Sequence, residues 1–157
     1  MKSTTKTLIL NIVIAILSVA VVGVVGRLLT DTNSDWFLAL NKPSEFVPSI
    51  VFTIMWSLIY LLFAAVIFLL LERREMDTLT LVTLLLTGVF QWLWSLVYFR
   101  LHSLLLGLVM LILLAALAIV LLSHLGKKNK LYLDLLAIYP MWLTLATFIN
   151  LSLWAIN

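Results

Sequence analysis

The sequence predicts an all-α integral membrane protein: a five-transmembrane-helix bundle with a short interfacial helix in the first loop. Three observations lead there. The 157 residues are 64% hydrophobic and only 11% charged, whereas a soluble domain is about half apolar and a quarter charged. Mean hydropathy is +1.21. The apolar residues also fall into five runs, each long enough to cross a hydrocarbon core of about 30 Å. One domain covers residues 1–157, with helices expected at about 7–28, 48–71, 77–99, 103–124 and 131–155.

The first run, Leu8 to Gly26, is apolar except for Asn11 and Ser18. A basic start before an apolar run also suits a signal peptide. The run is longer than a usual signal core and no A-x-A site closes it, so a retained helix is expected. Gly23 and Gly26 near its end suit either close helix approach or fraying. Asp31, Asn33, Ser34 and Asp35 supply turn and N-cap chemistry ahead of WFLAL, where the interfacial helix should lie. Pro48 suits the first turn of the second span, where its missing N–H costs nothing.

That span stops at Glu72-Arg73-Arg74-Glu75, read as a solvated turn. Asp77 and Thr78 can cap the third span. Arg100 and His102 mark a very short connection, which makes the third and fourth spans antiparallel neighbours. The fourth span is Leu-rich and ends at the Gly126–Lys130 cluster. The fifth starts near Leu131, and Pro140 should kink it by removing a backbone hydrogen bond.

Five spans place Lys2, Lys6, Arg73, Arg74, Lys127, Lys128 and Lys130 on one side. Arg27, Lys42 and Arg100 fall on the other. The positive-inside rule then puts the N-terminus in the cytoplasm and the first loop outside.

Composition excludes several chemistries. The chain has no cysteine, so disulfides, thiolate nucleophiles and Cys-ligated metals are out. A net charge of +3, scattered at helix ends, does not suggest nucleic acid. No carboxylate lies deep in a span, which argues against a proton-coupled antiporter. His102 and His124 sit at helix ends with no visible co-ligands. No catalytic or metal-ligating set is expected.

What remains is aromatic and amide. The stretch Trp36–Tyr60 begins as a polar, Pro-stiffened loop with Trp36, Lys42, Pro43 and Pro48. It continues into Phe52, Trp56 and Tyr60, whose four-residue spacing holds three rings on one helical face. Gln91, Trp94 and Tyr98 share a face of the third span; Tyr139, Trp142, Ala146 and Asn150 share one of the fifth. Polar groups in hydrocarbon need partners, so these faces turn inward. Two readings fit: a lid over an aromatic pocket for a flat apolar ligand, or an interfacial loop anchored by Trp36 above aromatics that only glue helices.

The motifs decide between them by resemblance. Trp36, Lys42-Pro43 and Pro48 are followed in order by Val51-Phe52, Trp56, Tyr60, Trp94-Ser95, Tyr98-Phe99 and His102. Tyr139, Trp142, Ala146-Thr147 and Asn150 complete the series. This set resembles the TspO, or translocator protein, family of tryptophan-rich sensory proteins. Ser49 stands where a second proline is usual, Gln91 where Asn is usual, and Ile138 where a proline precedes the tyrosine. The resemblance implies a homodimer in a bacterial cell membrane, binding porphyrin, another tetrapyrrole or a haem-related ligand under the first loop. Trp56, Trp94 and Trp142 would line the pocket. Phe52, Tyr60, Gln91, Tyr98, Tyr139, Ala146 and Asn150 would fill it out, with Trp36, Pro43 and Pro48 shaping the lid. Leu151 to Asn157 lacks the basic residue of the animal sterol motif, so sterol binding is not carried over. A sensor or transporter without turnover ranks first, and light-dependent porphyrin degradation second. A structural membrane protein with packing-only aromatics ranks third.

The topology has a direct test. Reporter fusions after Asn129 and after Asn157 should report opposite sides of the membrane; a shared side contradicts five spans with an inside N-terminus.

Overall fold

The structure is a computed structural model that describes residues 4–44 and 47–157. Glu45, Phe46 and residues 1–3, including Lys2, lie outside the described residues. Among the described residues seven α-helices follow in order: α1 (Thr5–Leu29), α2 (Asp35–Ala39), α3 (Ser49–Glu72), α4 (Thr78–Ser95), α5 (Leu104–Lys128), α6 (Lys130–Leu136) and α7 (Ile138–Ile156). Among the described residues, five helical segments are long and apolar enough to cross a membrane: α1, α3, Thr78–Arg100, α5, and α6 with α7. The short α2 occupies the first loop, where the sequence predicts an interfacial helix.

Local chemistry explains the starts. Thr4, Ser34, Asp77 and Ser103 each accept a hydrogen bond from a backbone N–H three residues on, which satisfies an orphan donor of the first turn. Pro48 stands one residue outside α3, at its N-cap, rather than inside the first turn.

Three features depart from the sequence expectation. α5 passes through Gly126 and ends at Lys128. A Cβ on Gly126 would lie 3.1 Å from the Leu133 side chain, so this glycine lets α6 approach rather than ending the helix. The last span is interrupted at Ala137, three residues before Pro140. Proline lacks the N–H that would reach the Leu136 carbonyl and its ring crowds that carbonyl, so the break falls one turn ahead of it. The third span does not stay α-helical to Phe99: Leu96–Arg100 is a π-helical turn. The Leu101 N–H donates to the Leu96 carbonyl at 3.0 Å, and His102 takes a positive φ of 53°. The wider turn buries Val97, Tyr98 and Phe99 in succession, which an amphipathic α-helix could not do with three consecutive side chains.

The spans form a ring. α1 packs between α3 and α4, and α5 packs between α4 and α7, with α4 and α5 the neighbours their short connection demands. α3 meets the last span more through α6 than through α7. The ring is therefore tight at one end and slack at the other.

The tight end corrects another expectation. Glu72-Arg73-Arg74-Glu75 is an anchor, not merely a solvated turn. Glu72 accepts from the Asn11 amide of α1 at 2.9 Å, and Glu75 accepts from the Tyr132 hydroxyl of α6. Arg73 lies over the Tyr132 ring, 5.7 Å from its centroid. Asp77 then joins α4 to α5, meeting Lys128 and His124 at 2.8 Å each. The Lys128 ammonium foremost, with the Thr80 N–H and hydroxyl and the His124 ring, holds the Asp77 carboxyl well below the usual carboxylate range.

Asp77→Asn keeps a cap acceptor but loses the charge, whereas Asp77→Ala loses both. Thermal unfolding midpoints should fall in the order wild type, Asn, Ala. Because the folded pKa is depressed, the ionic contribution is present above the unfolded pKa and fades as pH falls through the folded value. The gap between wild type and Asp77→Asn should therefore narrow below about pH 4. Equal midpoints at neutral pH would contradict this role.

Candidate functional site

At the slack end, α1, α3, α4, the π-helical turn and α7 enclose a cavity of about 520 Å³, within the range of about 300–1,000 Å³ usual for ligand sites. The α3 stripe forms one wall through Phe52, Trp56 and Tyr60. Gln91 and Trp94 of α4 and Tyr98 and Phe99 of the π-helical turn form the opposite wall. Ala146 and Asn150 of α7 add to the lining. Ser49, Thr53 and Ser57, four residues apart on α3, are both exposed and on the lining. The cavity thus opens along that face.

Trp56 is the hub of the aromatic set. Its ring centroid lies 5.8 Å from Tyr60, 6.3 Å from Trp94 and 6.4 Å from Trp142. These are spacings for offset or edge contacts. Trp142 is buried behind this wall rather than on the lining, with Phe52 edge-on at 5.1 Å. Tyr139 is also off the lining, packed edge-on against Phe63 at 5.0 Å. Both brace the cavity from behind.

The first loop divides its aromatics. Trp36 lies outside the cavity, stacked on His102 at 4.5 Å and edge-on to Tyr98 at 5.8 Å. It supports the π-helical turn from its far side. Phe37 reaches the lining instead, since neighbours on a helix point about 100° apart. Pro43 is half-buried and Pro48 exposed, neither on the lining. The loop is tied down at Asn41, whose N–H donates to Asn157 Oδ1 at 2.9 Å and whose carbonyl accepts from Asn157 Nδ2 at 3.0 Å.

Sequence reasoning missed α1 as a wall. Gly23, Gly26 and Arg27 all lie on the lining. A Cβ on Gly23 would meet the Tyr60 ring at 3.2 Å, and one on Gly26 would lie 3.9 Å from the Tyr60 hydroxyl. Gly23 thus makes room for the Tyr60 ring, the close approach the sequence allowed for, while a side chain at Gly26 would meet only ordinary contact. Helical periodicity did not place Phe99 on the wall, although it stands in the motif series beside Tyr98, because the π-helical turn that aims it inward leaves no periodic signal.

The polar inventory is uneven. Thr83, Thr87 and Thr147 donate to carbonyls of their own helices at 2.7–2.8 Å, and Trp92 Nε1 donates to the Val22 carbonyl at 3.1 Å. By contrast, Gln91 Oε1, Trp94 Nε1 and both side-chain atoms of Asn150 are buried with no protein partner among the described residues. All three residues are on the cavity lining. Trp142 Nε1 and Tyr139 Oη, behind the wall, share that condition. An unsatisfied buried group costs about 1–3 kcal/mol. Several together at one cavity suit a site that receives polar atoms from a ligand. The described lining has one charged side chain, Arg27.

The family model described as the TspO/MBR family matches residues 14–155. The chain belongs to the TspO/MBR family. It is also 28% identical over 151 residues to the Tryptophan-rich protein TspO of Archaeoglobus fulgidus, covering 95% of this chain and 98% of that relative. The match to the TspO/MBR model takes in every wall of the cavity, α1 included.

Proposed function

We propose that this membrane protein binds flat, largely apolar macrocycles of the porphyrin or tetrapyrrole class in the aromatic cavity and acts as a sensor or transporter. The observation that supports it most is the coincidence of aromatic walls with unpartnered polar atoms on Gln91, Trp94 and Asn150. Rings supply stacking surface, and amides and indole supply directional contacts to ring substituents. If the aromatics only glued helices, their polar tips would be expected to pair with neighbouring helices, as Trp92 does. The family resemblance implies a homodimer, and α1, much of whose surface is open, offers an apolar face that lipid or a second copy could cover.

Binding is read from tryptophan quenching by protoporphyrin in reconstituted protein. Trp94→Phe removes the unpartnered indole N–H at the lining and should weaken affinity about three- to thirtyfold, a loss of about 0.7–2 kcal/mol. Trp142→Phe, behind the wall, should weaken it less. Leu113→Ala on the exposed face of α5 should leave it unchanged. Equal affinities for the folded Trp94 and Leu113 variants would sink the cavity reading. Loss of bound porphyrin on illumination, with product formed, would turn the reading from binding to turnover.

A further inference from the structure

Two arginines sit at the outer end of α1, and their surroundings differ. Arg100 is engaged twice: Nη2 donates to the Leu28 carbonyl at 2.8 Å, and Nη1 lies 3.6 Å from Asp31 Oδ2. Arg100 is also off the lining, so its role is to tie the end of the π-helical turn to α1 and the first loop. Arg27 is on the lining. Its one protein hydrogen bond among the described residues is from Nη1 to the Thr30 carbonyl at 3.1 Å. No carboxylate among the described residues pairs with it. The other acceptor-seeking N–H groups of its fork remain available.

Arg27 stands next to Gly26 and one turn from Gly23, beside Thr30 and Thr32, which also reach the lining. Its exposure places the charge at the mouth of the cavity, above the aromatic walls. A guanidinium matches a carboxylate with two parallel N–H donors, and it is less strongly hydrated than an ammonium. The cavity is therefore two-ended, with apolar faces and amides within and, at the rim, a cation that no carboxylate among the described residues pairs with.

We propose that Arg27 docks a carboxylate of the ligand, so that the site selects amphiphilic macrocycles carrying an acid group at one edge over neutral macrocycles of the same shape. This rests on the cavity being the binding site. A porphyrin with acidic side chains on one edge would insert its apolar edge between the walls and leave its acid at Arg27.

The test compares protoporphyrin with its dimethyl ester, by tryptophan quenching, on wild type, Arg27→Gln and Arg27→Lys in vesicles of one zwitterionic lipid. The acid-to-ester affinity ratio is compared between proteins, so partitioning of each compound into lipid cancels. Wild type should prefer the acid by about five- to tenfold relative to Arg27→Gln, whose ratio loses this preference. Arg27→Lys should retain part of it. Raising salt to about 0.5 M should shrink the wild-type preference and leave ester binding unchanged. The salt dependence needs no variant and stands even if Arg27→Gln does not fold. An unchanged ratio in Arg27→Gln, or equal weakening of acid and ester, overturns the docking role while the cavity reading survives. If neither compound binds wild type, the cavity reading falls and the docking role falls with it.

Discussion

Hydrocarbon offers no hydrogen bonds, so each polar group between the ends of this bundle must find its partner within the protein. That constraint shapes most of what is seen. Backbone groups are satisfied by running as helices. Thr83, Thr87 and Thr147 return their hydroxyls to their own helices. Trp92 reaches across to a carbonyl of α1. Among the described residues, where the rule is broken it is broken at or just behind the walls of one cavity, and that concentration is the observation behind the proposed site.

The two ends of the bundle do different work. At one end, Asn11 to Glu72, Tyr132 to Glu75 and the Asp77–Lys128 pair cross-link α1, α3, α4, α5 and α6. At the other end α3 lies close to α1, while its backbone stands off from α7 and meets it through the ring contacts of Phe52 and Trp56 with Trp142, which leaves space lined by its aromatic stripe. A fixed end and a slack end let the cavity exist without unmaking the bundle. The π-helical turn and the Trp36–His102 stack then close the wall opposite α3.

Much of this was legible in the sequence. Five apolar runs set the spans, and the spacing of Phe52, Trp56 and Tyr60 put those rings on one face. The faces through Gln91, Trp94 and Tyr98, and through Ala146 and Asn150, likewise reach the lining. Other features were not legible, for physical reasons. A π-helical turn breaks the periodicity from which burial is read, so Phe99, though part of the motif series, was not assigned to the cavity. Adjacent Trp36 and Phe37 are both aromatic, and only the orientation of α2 decides that Phe37 faces the cavity. Gly23 and Gly26 signal closeness without naming the neighbour. Charged residues at a span end look solvated in sequence, because pairing of Glu72 and Glu75 with Asn11 and Tyr132 bridges sixty positions or so.

The central claim is that the unpaired polar atoms are kept for a ligand at some cost to the empty protein. Such a trade between stability and function is common at binding sites. Gln91→Met tests it most directly, since it replaces the amide with an apolar side chain of similar size. The ligand-free variant should unfold at the same temperature as wild type or higher, while its affinity for protoporphyrin falls by about three- to tenfold. A variant that unfolds at a lower temperature and binds protoporphyrin as wild type does would make Gln91 a structural residue and contradict the account.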